Sequence, residues 1–263
     1  MRDLPVHQAA GLMGLARNQF PRLTAFVSHG DAQAELPLLW KLCSAMVDLG
    51  YPVTVLDGTT QEAGDNPGLE QLLDFSTWRE SPQESPTWNI LPSMQGLQAL
   101  GAFANPSAHC LSALGQAFQH EGFVIAYSNA QVLSRLLTRS GVRPLLSLST
   151  ARTSLLTSYL ALKRLLLKGG IEPVVANVVQ YADRSLETES AVASNLCDCA
   201  RNFLDFEVNI VTIVAPAGED RPSMDVQRLA LSMIENAIPL VKGWSTQSMC
   251  SDIPLTSGIA GSH

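Results

Sequence analysis

Leu23-Thr-Ala-Phe-Val27 and Val53-Thr-Val-Leu-Asp57, with what separates them, decide the fold. Both runs are short, apolar and rich in β-formers, as strands buried on both faces of a sheet are. Residues 28–36 between them are polar. Residues 37–49 are periodic instead: Leu39, Leu42, Cys43 and Met46 recur at the spacing of one buried helical stripe. Gly50 follows, where a left-handed residue ends a helix. Two strands joined by one helix in so few residues form a parallel βαβ unit. Ligands of such sheets bind beyond the carboxyl ends of the strands. Here that place is Ser28-His-Gly-Asp-Ala-Gln-Ala-Glu-Leu36.

The rest of the chain continues the alternation. Residues 58–66 form a polar loop at the crevice mouth, and 67–73 a short helix. Residues 76–87, with two prolines and little periodicity, read as exposed and mobile. Trp88-Asn-Ile-Leu-Pro92 is a strand, followed by a helix over 95–100. A helix over 111–120, with Leu111, Leu114 and Phe118 on one face, leads into the strand Phe123-Val-Ile-Ala-Tyr127. Leu145-Leu-Ser-Leu148 is a further buried strand. The helix after it is expected to be capped by Ser149 or Thr150, to bury Leu155, Tyr159, Leu162 and Leu166, and to end at Gly169-Gly170. Residues 173–179 and 208–214 are the last strands. A helix over 187–203 buries Ala191, Leu196, Cys199 and Phe203, and one over 225–242 buries Val226, Leu229, Ala230, Met233, Ile234 and Ala237.

A chain of 263 residues can bury the core of one large α/β domain. No run of about 18 apolar residues exists to span a bilayer; the longest apolar stretch, near residues 160–167, is interrupted by Lys163 and Arg164. A net charge of −7 argues against non-specific nucleic-acid binding, which needs a basic face. No basic segment followed by an apolar one opens the chain, so export by that route is not expected. The five cysteines are odd in number and scattered, and Cys197-Asp-Cys199 is too tight for zinc, so reduced thiols in a cytosolic protein are the reading.

The frame over 23–57 resembles the opening of the MinD/ParA class of P-loop ATPases, whose text S-G-K-G-G-V-G-K-T precedes an apolar helix, a Gly and a strand ending D-A-D. It lies on this sequence without a gap, and Ser28, Leu42, Gly50, Val53, Leu56 and Asp57 match. The phosphate-binding Lys falls on Glu35, the magnesium-binding Thr on Leu36 and the signature Lys on Gly30. The glycines fall on His29, Asp31, Ala32 and Ala34. Glycines let backbone N–H groups curl around phosphate. A carboxylate in place of the ammonium reverses the sign of the largest interaction, and like charges about 4 Å apart cost roughly 4 kcal/mol at an effective dielectric near 20. A second element departs in the same sense. The family's strand ending D-T-G-A-G, whose Asp polarises water near magnesium, reads Tyr127-Ser-Asn-Ala-Gln131 here, and a phenol does not take that role at neutral pH.

Two more segments carry the resemblance. Residues 149–163 align with T-x-P-E-P-T-S-I-T-D-A-Y-A-L-I-K: Thr153, Ser154, Tyr159 and Lys163 match, while the acidic positions are Ala151 and Thr157. Asn177 falls where relatives place an Asn that meets adenine; as a lone residue it reads more readily as a strand-end hydrogen-bonder. At the N-terminus, Val6-His-Gln-Ala-Ala-Gly-Leu-Met-Gly-Leu15 resembles the D-Q-A-x-G-L-R-x-L motif of the FlhG/FleN family, MinD-like regulators of flagellar number. Gln8, Ala9, Gly11, Leu12 and Leu15 match; the leading Asp is His7 and the Arg is Met13. An amphipathic arm folded back on its own domain is the alternative.

The resemblance implies a three-layer, parallel-sheet α/β fold of the MinD P-loop NTPase type. It divides the chain into a partner-binding arm over 1–22, a degenerate ATPase domain over 23–242 and a disordered tail over 243–263. Ser28, Gly30, Glu35, Leu36, Asp57, Tyr127 and Asn177 form the degenerate nucleotide site, and no cofactor or metal is expected, ATP–magnesium binding being lost. Gln8, Gly11, Leu12 and Leu15 would meet the FlhF-type GTPase, and flagellar assembly proteins are the wider set of partners. A cytoplasmic monomer is expected, without nucleic-acid binding. The tail has neither Lys nor Arg, so it lacks what membrane-surface binding needs. The alternatives are a ParA- or BcsQ-like accessory of cellulose synthase or pili, and an enzyme reusing the crevice with His29, Glu35 and Asp57 as acid/base groups.

Overall fold

Strand periodicity sorts the molecule into three layers. The computed structural model describes residues 21–74, 87–118, 122–180, 186–215 and 222–240. Its strands are β1 (Arg22–Ser28), β2 (Val53–Asp57), β3 (Trp88–Pro92), β4 (Phe123–Asn129), β5 (Leu145–Leu148), β6 (Val174–Gln180), β7 (Asn209–Ala215) and β8 (Ile238–Pro239). The first seven run parallel in the order β3-β2-β4-β1-β5-β6-β7, and β8 pairs antiparallel with β1. The helices are α1 (Glu35–Asp48), α2 (Leu69–Asp74), α3 (Met94–Leu100), α4 (Pro106–Ala117), α5 (Ala130–Leu136), α6 (Ser154–Arg164), α7 (Leu186–Leu204) and α8 (Met224–Asn236).

Because successive strand residues face opposite ways, one sheet builds two cores. Leu23, Ala25 and Val27 of β1, with Val124 and Ala126 of β4, pack under α2 to α7. Phe26 of β1, with Phe123, Ile125 and Tyr127 of β4, packs under α1 and α8. The stripe Leu39, Leu42, Cys43 and Met46 is fully buried in that second core, as its spacing requires. No helix among the described residues is long and apolar enough to cross a membrane.

Several expectations are corrected by tertiary context. α1 starts at Glu35 rather than at residue 37, because the Asp31 carbonyl accepts from Ala34 and Glu35 and opens the first turn early. Pro37 then sits inside that turn, where a missing N–H costs nothing. α4 starts at Pro106, another first-turn proline. α5 was not foreseen: Asn129 caps it through its side-chain oxygen, which accepts from Gln131 and Val132 at 3.0 Å each. α6 starts at Ser154, so neither Ser149 nor Thr150 is its cap; the Ser149 hydroxyl donates to Asp31 instead. In α7 the buried stripe runs through Leu196 and Ala200, while Ala191 is exposed and Phe203 is 74% exposed. Phe203 lies one position short of Leu204, which packs on the core, and one position turns a helix by roughly 100°. All six expected residues are buried, but α8 ends at Asn236, so that Ala237 lies just beyond it. Pro239 disfavours the helical conformation for Ile238, and the chain turns into β8.

The N-terminal motif with Gln8, Gly11, Leu12 and Leu15, the segment 75–86 and the tail lie outside the described residues.

Candidate functional site

β1 ends at Ser28, and the following loop closes on one side chain. Glu35, 3% exposed at the first turn of α1, is ringed by donors. Its Oε1 accepts the backbone N–H of His29 at 2.8 Å and of Asp31 at 2.7 Å. Its Oε2 accepts the Ser28 hydroxyl at 3.1 Å and the Tyr127 hydroxyl at 2.7 Å. A carboxylate has about four lone-pair sites, and all four are filled. Gly30 makes this possible: its φ of +92° reverses the backbone between His29 and Asp31, so both N–H groups converge on one anion.

Tyr127 reaches Glu35 from β4, where the sheet register puts it beside Phe26 of β1 and Asp57 of β2. Its ring meets Phe26 edge-on at 5.9 Å between centroids. Burial, with the neighbouring Glu35 and Asp57 carboxylates, pushes the phenol above its ordinary range, so it remains a donor.

Asp31 forms a second knot, unforeseen in the sequence. Its Oδ1 accepts from the N–H groups of Gln33 and Ala34 at 3.1 and 3.3 Å, an Asx turn leading into α1. Its Oδ2 accepts the hydroxyls of Ser149 and Ser154 at 2.7 and 2.6 Å. Asp31 is 3% exposed, so this carboxylate ties the β1 loop to the start of α6 with little competition from water. The Asx turn was readable, since an Asp two and three residues before free N–H groups opens many helices. The serine partners, 118 and 123 positions away, were not.

His29 is held between these knots, its side chain 3% exposed. Nδ1 lies 2.8 Å from the Thr157 hydroxyl, and Nε2 lies 3.0 Å from the Ser147 carbonyl and 3.6 Å from Glu35 Oε1. Nε2 also lies 3.2 Å from the Ser147 hydroxyl, so both ring nitrogens are engaged by the protein's own groups. Asp57 is half-buried at the end of β2. Its Oδ1 accepts from the Thr59 N–H and hydroxyl and its Oδ2 from the Thr60 hydroxyl. The fold thus brings Ser28, His29, Gly30, Glu35, Tyr127 and Asp57 to one crevice mouth. Leu36 is 41% exposed on the outside of α1, and Asn177 is buried in β6. A third buried carboxylate, Glu62, accepts the N–H groups of Gln95 and Gly96 and caps α3 from the β2 loop. Among the described residues, no group of three or more His, Cys, Asp or Glu could hold a metal ion.

A parallel sheet in this order, flanked by helices on both faces, with its first βα loop at the sheet's carboxyl edge, is the fold of the ParA/MinD P-loop NTPases. Similar solved structures include cobyrinic acid a,c-diamide synthase from Mycobacterium smegmatis with bound ADP and magnesium: 16% identity over 82% of this chain and 94% of that chain, TM-score 0.54. A plasmid partition protein from Borrelia burgdorferi shares 8% identity over 81% of this chain and 99% of that chain, TM-score 0.53. The ParA of pnob8 shares 9% over 82% and 99%, TM-score 0.50. No protein-family model matches the chain, and no curated protein matches it in sequence. At such identities the likeness is one of fold.

Proposed function

We propose that this chain is a regulator of the FlhG kind that acts on flagellar assembly through protein contacts and without ATP turnover. The observation that carries the reading is Glu35. The loop N–H groups that would cradle a phosphate already hold the chain's own carboxylate, and its four lone-pair sites are used. A triphosphate brought there would have to displace a buried anion or lie against it. Leu36 offers magnesium no oxygen, and Tyr127 offers no carboxylate. The residues present do not fit ATP–magnesium.

With catalysis gone, the working part is sought in the arm. Gln8, Gly11 and Leu12 keep the FlhG motif while the catalytic positions do not. In this reading the apolar residues of an amphipathic helix anchor in a groove of an FlhF-type GTPase, and Gln8 reaches its site. Burial of His29 and saturation of Glu35 weigh against an enzyme that needs them together with Asp57, for neither presents a free acceptor to a substrate. Titration calorimetry with ATP and magnesium is the test of the lost site. A dissociation constant below about 10 μM, roughly −7 kcal/mol, would overturn it. GTP turnover by the FlhF GTPase, with the full chain, with residues 1–19 removed and with Gln8→Ala, tests the partner. Removal is expected to abolish binding and stimulation, and Gln8→Ala to reduce stimulation more than affinity.

A further inference from the structure

The cations Arg135, Arg139, Arg164 and Lys168 line one cleft of about 700 Å³, none of whose walls comes from the β1 loop. No Asp or Glu lines it. Among the described residues, none of the four lies within ion-pair distance of a carboxylate. The chain has 17 Lys and Arg against 24 Asp and Glu, so four cations without an acid locally reverse the overall charge.

The fold gathers them from two helices and the turn that follows each. Arg135 is in α5, and Arg139 stands in the turn beyond it with a φ of 57°, a conformation few arginines adopt. Arg164 closes α6, and Lys168 belongs to the π-helical turn Leu165–Gly169 that follows. Such turns are rare and frequent at functional sites. Arg164 donates to Gln131 of α5 at 3.1 Å, tying one wall to the other. The 12-residue helix α4 opens at the same cleft with no side-chain cap from Asn105, adding the positive end of its dipole. Like charges so gathered repel one another, and a bound anion relieves that repulsion. Low-dielectric walls of one sign also focus the field on a ligand.

The lining says which anion. No aromatic ring is present to stack a base, and the apolar wall is limited to Ala104 and Pro106. Recognition falls on charge and on the hydroxyl of Ser107, since that of Thr138 donates to the Ser134 carbonyl. Guanidinium forks match phosphate oxygens two at a time, and a cleft of this volume suits a small molecule. We propose that the cleft binds a small ligand bearing several phosphate groups, gripped through those phosphates.

Calorimetric titration of sodium triphosphate into the full chain without magnesium is the test. One site per chain is expected. Its affinity falls at least about tenfold in each of the pairs Arg135→Gln/Arg139→Gln and Arg164→Gln/Lys168→Gln, and is unchanged in Arg143→Gln, an exposed cation outside the cleft. All these side chains belong to exposed residues, and circular dichroism verifies that the variants fold. Absence of binding, equal weakening in Arg143→Gln, or equal affinity for adenosine would overturn the proposal. A hexaglutamate peptide binding as tightly as triphosphate would also overturn it, reassigning the cleft to an acidic protein segment. The paired variants separate the cleft from the β1 loop as well, since a nucleotide held at that loop keeps its affinity when these cations are removed.

Discussion

Tyr127 and Glu35, 92 positions apart in the chain, share a buried hydrogen bond of 2.7 Å. The bond fastens the end of β4 to the start of α1, and with it the loop between β1 and α1. Its acceptor is a carboxylate holding three further donors, so the two partners are not equivalent. Tyr127→Phe deletes one donor and should cost about 1–3 kcal/mol. Glu35→Ala orphans four donors and should cost about 3–5 kcal/mol. Urea unfolding of both variants measures the difference. A Glu35→Ala protein as stable as Tyr127→Phe would mean that the carboxylate does not organise the loop.

The same variant gives a second reading. In Glu35→Ala the N–H groups of His29 and Asp31 lose their acceptor while Gly30 still turns them toward one point. Millimolar phosphate should then raise the melting temperature of Glu35→Ala more than that of the parent chain, by the mass action of an anion bound only when folded. Equal shifts in both proteins would show that the freed N–H groups do not form an anion site.

Asp31, Ser149 and Ser154 act as a unit, because one carboxylate oxygen accepts from both hydroxyls and Ser154 Oγ also accepts the Ser149 N–H at 2.9 Å. A double-mutant cycle between Asp31→Ala and Ser154→Ala should return a coupling of about 1–3 kcal/mol, the range for residues in one network. Additive losses in denaturant unfolding would dissolve the knot.

Gly58 and Ser128 press together where β2 and β4 end. A Cβ on Gly58 would stand 2.5 Å from Ser128 Oγ, 2.8 Å from Ser128 Cβ and 2.9 Å from Leu97 Cδ1. Gly58→Ala should therefore cost about 1–3 kcal/mol by overpacking. Ser128 Oγ is itself buried with no hydrogen-bond partner among the described residues. Ser128→Ala removes an unpaired polar group and should be neutral or stabilising. Loss of more than about 1 kcal/mol on that change would reveal a partner for the hydroxyl.

Burial pushes the thiols of Cys43 and Cys110 up to about 12 from 9.0. In the folded chain both stay protonated where unfolded thiols ionise. Their contribution to stability is complete below pH 9 and drains away as pH rises towards about 12. Each removes up to roughly 1.4 kcal/mol per pH unit in that window. At pH 8 alkylation followed by peptide mapping should find Cys199, half-buried on α7, labelled long before either. Labelling of Cys43 or Cys110 at the Cys199 rate in the native protein would contradict the burial of these thiols.

Much of the architecture was legible in the residues. β2, β3 and β5 lie where their apolar runs place them, and the α1 and α8 stripes are buried as their spacing demands. Local composition sufficed there because a fully buried strand or a helical stripe is specified by its own period. That Glu35 and Leu36 stand where the resemblance expects a Lys and a Thr is read from the sequence alone. The boundaries of α1, α5, α6 and α8 were less so, since each is set by a partner outside the element or by a single cap. Only the tertiary structure decided what Glu35 does. A carboxylate at a loop's end reads from the sequence as a repelled charge. Folding brings Tyr127 from β4 and turns two N–H groups through Gly30, and the same charge becomes the centre that holds the loop. Asp31 with its distant serines and the four-cation cleft are of the same kind. Hydrogen bonds and charges act over a few ångströms, and which groups come that close is set by how the strands are ordered in the sheet, not by how far apart they lie in the chain.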